Sequence, residues 1–471
     1  MPSQLQDLSD ALIIPHEFVP RDYQVPFLYE VEKAILGQSH KRFFIQVWHR
    51  RSGKDKTGIS TIAPKRLIQD PCLVKYVYPT LVMGRDNLWE GIGGDGFKYL
   101  DHLPEGMRAG HANSTRMTIP IKTKWGGGHN SIFQISGSDN PDSLRGGNPK
   151  MFIFSEWSEQ DPYAWDVVRP ILEENNGIAV FNFTPRGDNH AASLIKYARS
   201  LPEPNPWHVQ ILTAEDTGVF SMERLVAIRA DLIAQFVAQG RSEDEAIAYF
   251  EQEYMCSFDA PVIGSYYGAN MRLAEAEGRI GRVPYERSLP VHTAWDLGMN
   301  DSMTIWFFQV YGMETRIIDY YESSGEGLVH YAKVLQDRKY IYGMHIAPHD
   351  IAVRELGTGK SRKEVARSLG INFTTAPMLE VDDGINAVRS MLGGCWFDAE
   401  KCKRGINCLK SYRKDWDEKN KVFRLSPKHD WASHGADAFR ILATGYKRPV
   451  YRKPPSTDPG GVRGDLIPGV G

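Results

Sequence analysis

Long apolar runs are missing from this sequence: nowhere do about 18 apolar residues follow one another, the least that a membrane-spanning helix needs. Nor does a basic segment followed by an apolar core open the chain, so neither secretion nor a membrane partner is expected. Cysteine is scarce as well. The five cysteines (Cys72, Cys256, Cys395, Cys402 and Cys408) are scattered, with no C-x-x-C pair. That argues against a zinc cage and for free thiols in a reducing cytoplasm. Charge of one sign is lacking too: 56 Lys and Arg stand against 58 Asp and Glu, a net charge of −2. Any site for a polyanion must therefore be a local patch. No internal repeat is found. What remains is a globular composition, 42% hydrophobic, 24% charged and 11% aromatic, in 471 residues, a length that exceeds what one core serves and predicts two domains.

The stretch Phe43 to Thr57 stands out. An apolar run, Phe43 to Trp48, reads as a buried strand, His49-Arg50-Arg51-Ser52-Gly53-Lys54 as a turn, and the residues after it as a helix. Strand, turn of backbone N–H groups, helix N-terminus and lysine are the parts of a phosphate-cradling loop. Against the pattern G-x-x-x-x-G-K-S/T two positions depart: Trp48 replaces the first glycine and Asp55 the hydroxyl residue. Lys54 would neutralise β/γ-phosphate charge, Arg50 and Arg51 add to it, and Asp55 still offers Mg²⁺ a hard oxygen. Upstream, the amide of Gln24 is suited to reading an adenine edge, or is an ordinary surface glutamine.

Short apolar strands alternate with helical stretches through the first half: Leu73–Tyr78, Ser131–Ile135, Met151–Phe154 and Ile178–Phe183. This rhythm predicts a parallel α/β sheet, with ligands beyond the carboxyl ends of its strands. Lys54, Thr80, Ser155-Glu156 and Thr184 each follow a strand. Glu156 is placed to polarise an attacking water and Ser155 to hold a magnesium-bound one, although a strand-end acid is also a common surface residue. Arg145 lies in the glycine-flexible loop Ser143–Gly147, able to reach a neighbouring subunit. Helices are expected around Leu225–Phe236 and Ser242–Tyr254, and a boundary at 261–288, where proline and glycine recur.

A new rhythm starts at Val291–Asp296, with strands at Thr304–Phe308 and Arg316–Tyr321, a short one at Gly343–Ile346, and helices at Ser361–Leu369 and Gly384–Leu392. Lys410–Arg413 and Val422–Leu425 are predicted as a basic hairpin, and His429–Arg440 as the entry to a last helix. Asp296 and Asp350 follow strands and Asp437 sits on that helix; carboxylates converging in this order suit two divalent cations and in-line phosphodiester cleavage. Asp430, Asp301 and His434 are neighbouring or alternative ligands. Residues 401–424 hold nine Lys and Arg against three acids, which fits a polyphosphate backbone or simply a solvated hairpin.

Taken together, the chain resembles the large terminase subunit of tailed double-stranded DNA bacteriophages, the motor that packages the genome. The resemblance is carried by Gln24, Arg50–Asp55, Glu156, Thr184-Pro185-Arg186-Gly187, Gln252–Phe258, Asp296, Asp350 and Ser433–Ala438, and covers roughly residues 20–445. It implies a P-loop ATPase of the additional-strand type over 1–260 and an RNase H-like nuclease over 289–446, on either side of the boundary at 261–288; the proline- and glycine-rich tail over 447–471 is expected to be disordered. By the same resemblance Arg145 is an arginine finger acting in trans and Thr184 couples hydrolysis to movement. ATP and Mg²⁺ are the implied cofactors, with Mn²⁺ able to support the nuclease. Double-stranded DNA, a portal protein, a small terminase subunit and a pentameric ring of copies are the implied partners. The implied place is the host cytoplasm, transiently docked on the procapsid portal and absent from the mature virion. Two other classes stay open: a helicase-like ATPase with structural acids, and a DNA-binding assembly protein with a vestigial nucleotide site.

Overall fold

The computed structural model describes residues 18–126, 128–258, 264–298, 302–353, 361–417 and 422–447. Asp301 and the tail beyond residue 447 lie outside the described residues.

Seven strands form the first sheet: β1 (Phe43–Trp48), β2 (Leu73–Tyr78), β3 (Thr118–Lys122), β4 (Asn130–Gly137), β5 (Met151–Ser155), β6 (Ile178–Phe183) and β7 (Trp207–Leu212). Their order is β3-β4-β2-β5-β6-β1-β7, and only β3 runs antiparallel to its neighbour. Every side chain of β1 and β6 is buried, because helices cover both faces of a parallel sheet; hence the largely apolar runs in the sequence. One core, including Phe27, Phe44, Ile59 and Tyr76, lies on one face. The other face carries Phe43, Phe154, Trp165 and Phe181. The carboxyl ends of β1, β5 and β6 are therefore adjacent.

The second sheet comprises β8 (Ile280–Gly281), β9 (Val291–Asp296), β10 (Ser302–Tyr311), β11 (Glu314–Ser324), β12 (Tyr342–Ala347), β13 (Phe373–Thr375) and β14 (Cys395–Asp398). The order is β13-β12-β9-β10-β11-β14-β8, with β9, β10 and β11 antiparallel and the outer strands added in parallel. The last helix, Trp431–Gly445, lies against β9 and β10 through Phe439 and Leu442. A small pair, β15 (Lys414–Asp417) and β16 (Val422–Pro427), completes the strands. The fold class is α/β, as expected: a unit with a mainly parallel sheet and a strand–loop–helix that starts from its inner strand β1, then a second α/β unit with a mixed sheet.

One expectation is corrected. Lys410–Arg413 is not a strand: the helix Lys403–Ser411 takes its place and the hairpin starts at Lys414. Cys402, Ile406 and Leu409 recur at helical spacing and are buried, so the apolar period outweighs the polar surroundings. The boundary stretch 261–288, where described, carries structure of its own. Tyr266 and Tyr267 pack against Tyr412 with ring centroids 5.2 and 5.6 Å apart, the helix Gly268–Ala276 follows, and β8 forms a sheet edge. Its glycines marked turns, and its aromatics carry the packing.

Candidate functional site

The loop between β1 and the helix Lys54–Thr57 turns on Gly53, whose φ of 84° is left-handed and costs glycine nothing. A Cβ at that position would come within 3.1 Å of Gln24 Nε2. Gln24 is buried and spent on this loop: Nε2 donates to Ser52 O at 2.9 Å, and Oε1 accepts from Arg21 N at 3.0 Å. Tyr23 donates to the same Ser52 carbonyl at 2.7 Å. In this state Gln24 braces the loop, and its amide edge is not offered to a base. Lys54 is buried, with Nζ donating to Trp48 O at 3.1 Å and to Thr184 Oγ1 at 3.0 Å. The lysine read as the phosphate ligand thus rests on the residue read as the coupling threonine.

Asp55 is held by three donors, all on Oδ1: Ser155 Oγ at 2.6 Å, Tyr76 OH at 2.9 Å and Asn182 Nδ2 at 3.3 Å. These come from β5, β2 and β6, the strands whose carboxyl ends the topology gathers. The donor set, a carboxylate and a hydroxyl with the buried, unpartnered Asn182 Oδ1 beside them, fits a hard cation such as Mg²⁺. Glu156 follows Ser155 with φ 57° and ψ 46°, a left-handed conformation uncommon for a non-glycine residue and typical of functional strain. Its Oε2 is buried without a hydrogen-bond partner. Burial raises its carboxyl pKa; Lys54 opposes that shift and Asp55 adds to it. A desolvated carboxylate at a strand end is equipped to take a proton from water.

Arg145 ends the turn Pro141–Arg145 on the surface, with Nε donating to Asp142 at 2.9 Å and an Nη to Tyr163 OH at 3.2 Å. Arg50 pairs with Glu253 at 3.5 Å, and Arg51, exposed, has φ 71°.

In the second unit, Asp296 ends β9 and pairs with His434 Nδ1 at 3.5 Å. Asp437 lies three residues further along the helix on the same face, where Oδ1 accepts from Tyr412 OH at 3.2 Å and meets Arg440 at 3.2 Å. Burial raises its pKa; Arg440 pulls it down and the nearby Asp296 pushes it up. Asp350 is exposed on the turn His349–Ala352. Because Ile346 pairs with Ala294, it lies past the same sheet end as Asp296. Asp430 caps the last helix, accepting from Ala432 N at 3.0 Å, with Arg413 3.7 Å away. Asp437 rather than Asp430 therefore shares space with Asp296. Among the described residues, no three His, Cys, Asp or Glu side chains are arranged to hold a metal ion. Nor is any helix among them long and apolar enough to cross a membrane.

Ion pairs join the units. Arg404 meets Asp161 with both amino groups (Nη2–Oδ2 2.8 Å) and Glu322 at 3.1 Å. Glu159, three residues after Glu156, meets Lys428 at 3.0 Å, Arg186 at 3.2 Å and Arg413 at 3.5 Å. Arg186 also meets Glu253 at 2.7 Å. Sequence reasoning passed over Tyr76, Asn182, Asp161 and Arg404. A signal existed for Asn182, a polar residue inside the apolar run Ile178–Phe183. Arg404 carried none, since Asp161 lies in the other unit and Glu322 lies 82 residues before it.

No protein-family profile matches the chain. No curated protein matches it in sequence. Solved structures do. The large terminase of a thermophilic bacteriophage, in complex with ADP, is 16% identical, covering 90% of this chain and 98% of its own, at a TM-score of 0.40. The ATPase domain of the Thermus phage P74-26 large terminase is 18% identical over 51% of this chain and 100% of that domain, at 0.37. The cobalt-bound large terminase nuclease from thermophilic phage G20c is 17% identical over 39% of this chain and 98% of that one, at 0.28. The family of these structures is the one the sequence motifs resemble.

Proposed function

We propose that this chain is a phage large terminase subunit: an ATP-driven motor that moves double-stranded DNA into a procapsid and, with its second unit, cuts concatemeric DNA. The observation that carries the ATPase reading is the convergence of Lys54, Asp55, Ser155, Glu156 and Thr184 at adjacent strand ends. In this reading the loop's N–H groups and Lys54 hold the phosphates, with Arg50 and Arg51 adding charge beside them. Glu156 accepts the proton of the attacking water. Arg145, exposed on its turn, serves a neighbouring copy in a pentameric ring. Lys54 must leave Thr184 to reach a phosphate, and that exchange couples the nucleotide to the segment Thr184–Gly187. Mg²⁺ with ATP would be held at Asp55 and Ser155, neutralising phosphate charge.

The nuclease reading assigns Asp296, Asp350 and Asp437 as ligands for Mg²⁺ or Mn²⁺, with His434 beside Asp296. The basic stretch 401–424 holds the phosphate backbone. Portal protein and small terminase subunit are the further partners, and the host cytoplasm at the procapsid is the place of action. The pairing of Asp296 with His434 and of Asp437 with Arg440 favours a second reading, an ATP-driven translocase whose second unit binds DNA without cutting it. Nicking of supercoiled plasmid with Mn²⁺ or Mg²⁺, in wild type and Asp296→Asn, separates the two. Cutting that is lost in Asp296→Asn supports the nuclease; absence of cutting in wild type leaves the translocase.

A further inference from the structure

In a phosphate loop ending Gly-Lys-Ser/Thr the cation sits between two groups of different chemistry. A hydroxyl comes from the loop and a carboxylate from the end of a buried strand. Here both positions have changed, and each carries what the other usually supplies. Asp55 stands on the loop and Ser155 ends β5, with Ser155 Oγ donating to Asp55 Oδ1 at 2.6 Å. One change alone would set two carboxylates within hydrogen-bond distance, or leave two hydroxyls and no anion. Together they keep one hydroxyl and one carboxylate in direct contact.

We propose that Asp55 and Ser155 are a reciprocal exchange of the cation-positioning pair, in which Asp55 on the loop directly ligates the divalent cation that accompanies the nucleotide. This rests on the ATPase reading above and specifies its chemistry. The surroundings of Asp55 are built for it. Tyr76 and Asn182, both buried, add two donors to the same Oδ1, so the carboxylate is fixed through one oxygen. None of the three bonds falls on Oδ2, which is the ligand atom. Tyr76 reaches this place because residue 58 is glycine: a Cβ there would lie 2.6 Å from the tyrosine hydroxyl oxygen. A carboxylate that served only to tie β2, β5 and β6 together would need none of this exchange, since a serine or asparagine can accept the same bonds.

The test uses the full chain and a fluorescent ADP analogue, titrated with and without Mg²⁺, alongside electron paramagnetic resonance of Mn²⁺ with nucleotide. In wild type, Mg²⁺ tightens nucleotide binding by about tenfold or more, a carboxylate ligand adding to the phosphates' hold on the ion. Asp55→Ser loses that enhancement and the bound Mn²⁺ signal, while Mg²⁺-free binding persists. The double variant Asp55→Ser/Ser155→Asp recovers both, to within about threefold of wild type. Circular dichroism and melting confirm folding of each. A double variant no better than Asp55→Ser, or an Asp55→Ser that keeps its full Mg²⁺ dependence, overturns the proposal. Should the double variant not fold, Asp55→Asn, nearly isosteric, decides alone, and retained Mg²⁺ dependence there counts against the exchange. A wild-type chain that binds no nucleotide overturns the ATPase reading and this proposal with it; binding without rescue overturns this proposal only.

Discussion

In the first sheet each candidate residue leaves the carboxyl end of a parallel strand, with Lys54 after β1, Ser155 on β5 and Thr184 after β6. In the second sheet the three aspartates come from a strand end, a turn and a helix. The consequence is visible in their bonds. Lys54 and Thr184 touch, and Asp55 and Ser155 touch. Asp296 is paired with His434, Asp437 with Tyr412 and Arg440, and Asp350 is exposed on its turn. A parallel sheet gathers its strand ends by topology alone. A mixed sheet with a helix laid across it needs side-chain and turn positions to do the same.

The largest effect that would sharpen this contrast is on ATP turnover. Glu156→Gln keeps nucleotide binding and lowers hydrolysis by about 10²–10⁴-fold, the usual worth of a general base. Steady-state phosphate release checks it, and near-normal turnover would remove Glu156 from the chemistry. For Arg145, mixing Arg145→Ala with Glu156→Gln subunits restores hydrolysis if the arginine acts across the interface. No rescue at any mixing ratio breaks that assignment. Asp296→Asn lowers metal-dependent plasmid cutting on the order of 10²-fold while ATP turnover is kept, because a cation ligand is worth several kcal/mol at the transition state. Equal loss of both activities would mean that the two centres are not separable.

Between the two regions lies the Arg404 pair. Arg404→Ala leaves Asp161 and Glu322 without their cation and destabilises the chain by about 3 kcal/mol, at the low end for a buried pair because Arg404 is half-buried. Urea denaturation reads this, and a separate early transition for one unit would show that the pair holds the units together.

Acid acts on both regions at once. Burial depresses the imidazole pKa of His49 and His190 in the first unit, and of His345 in the second, to about 4. Unfolded, each takes a proton near 6.5, so between those values the unfolded state binds more protons and stability falls as pH drops. The loss is on the order of 3 kcal/mol per imidazole once pH is below 4. Melting temperatures from pH 7.5 to 4 check the direction, and a flat profile would contradict buried neutral histidines. The smallest effect is expected at Gln24→Ala, about 1 kcal/mol, because Tyr23 still donates to Ser52 O.

Sequence alone determined the elements that burial writes in apolar periodicity. The runs at β1, β2, β5 and β6 are mainly apolar because both faces of a parallel strand are covered, and Gly53-Lys54 after the first of them marked the candidate loop. The order of acids, Glu156 then Asp296, Asp350 and Asp437, was also legible, since the first three follow strands and the last sits on a helix with apolar spacing. Tertiary structure alone decided what those residues touch. Gln24 became a brace for the loop because helix and loop meet there, and Asp430 became a cap because the last helix starts at Trp431. The departures at Asp55 and Ser155 read as two separate flaws along the chain. They become one contact only when β1 and β5 are brought within reach on either side of β6, because hydrogen bonding depends on distance in space and carries no trace in sequence separation.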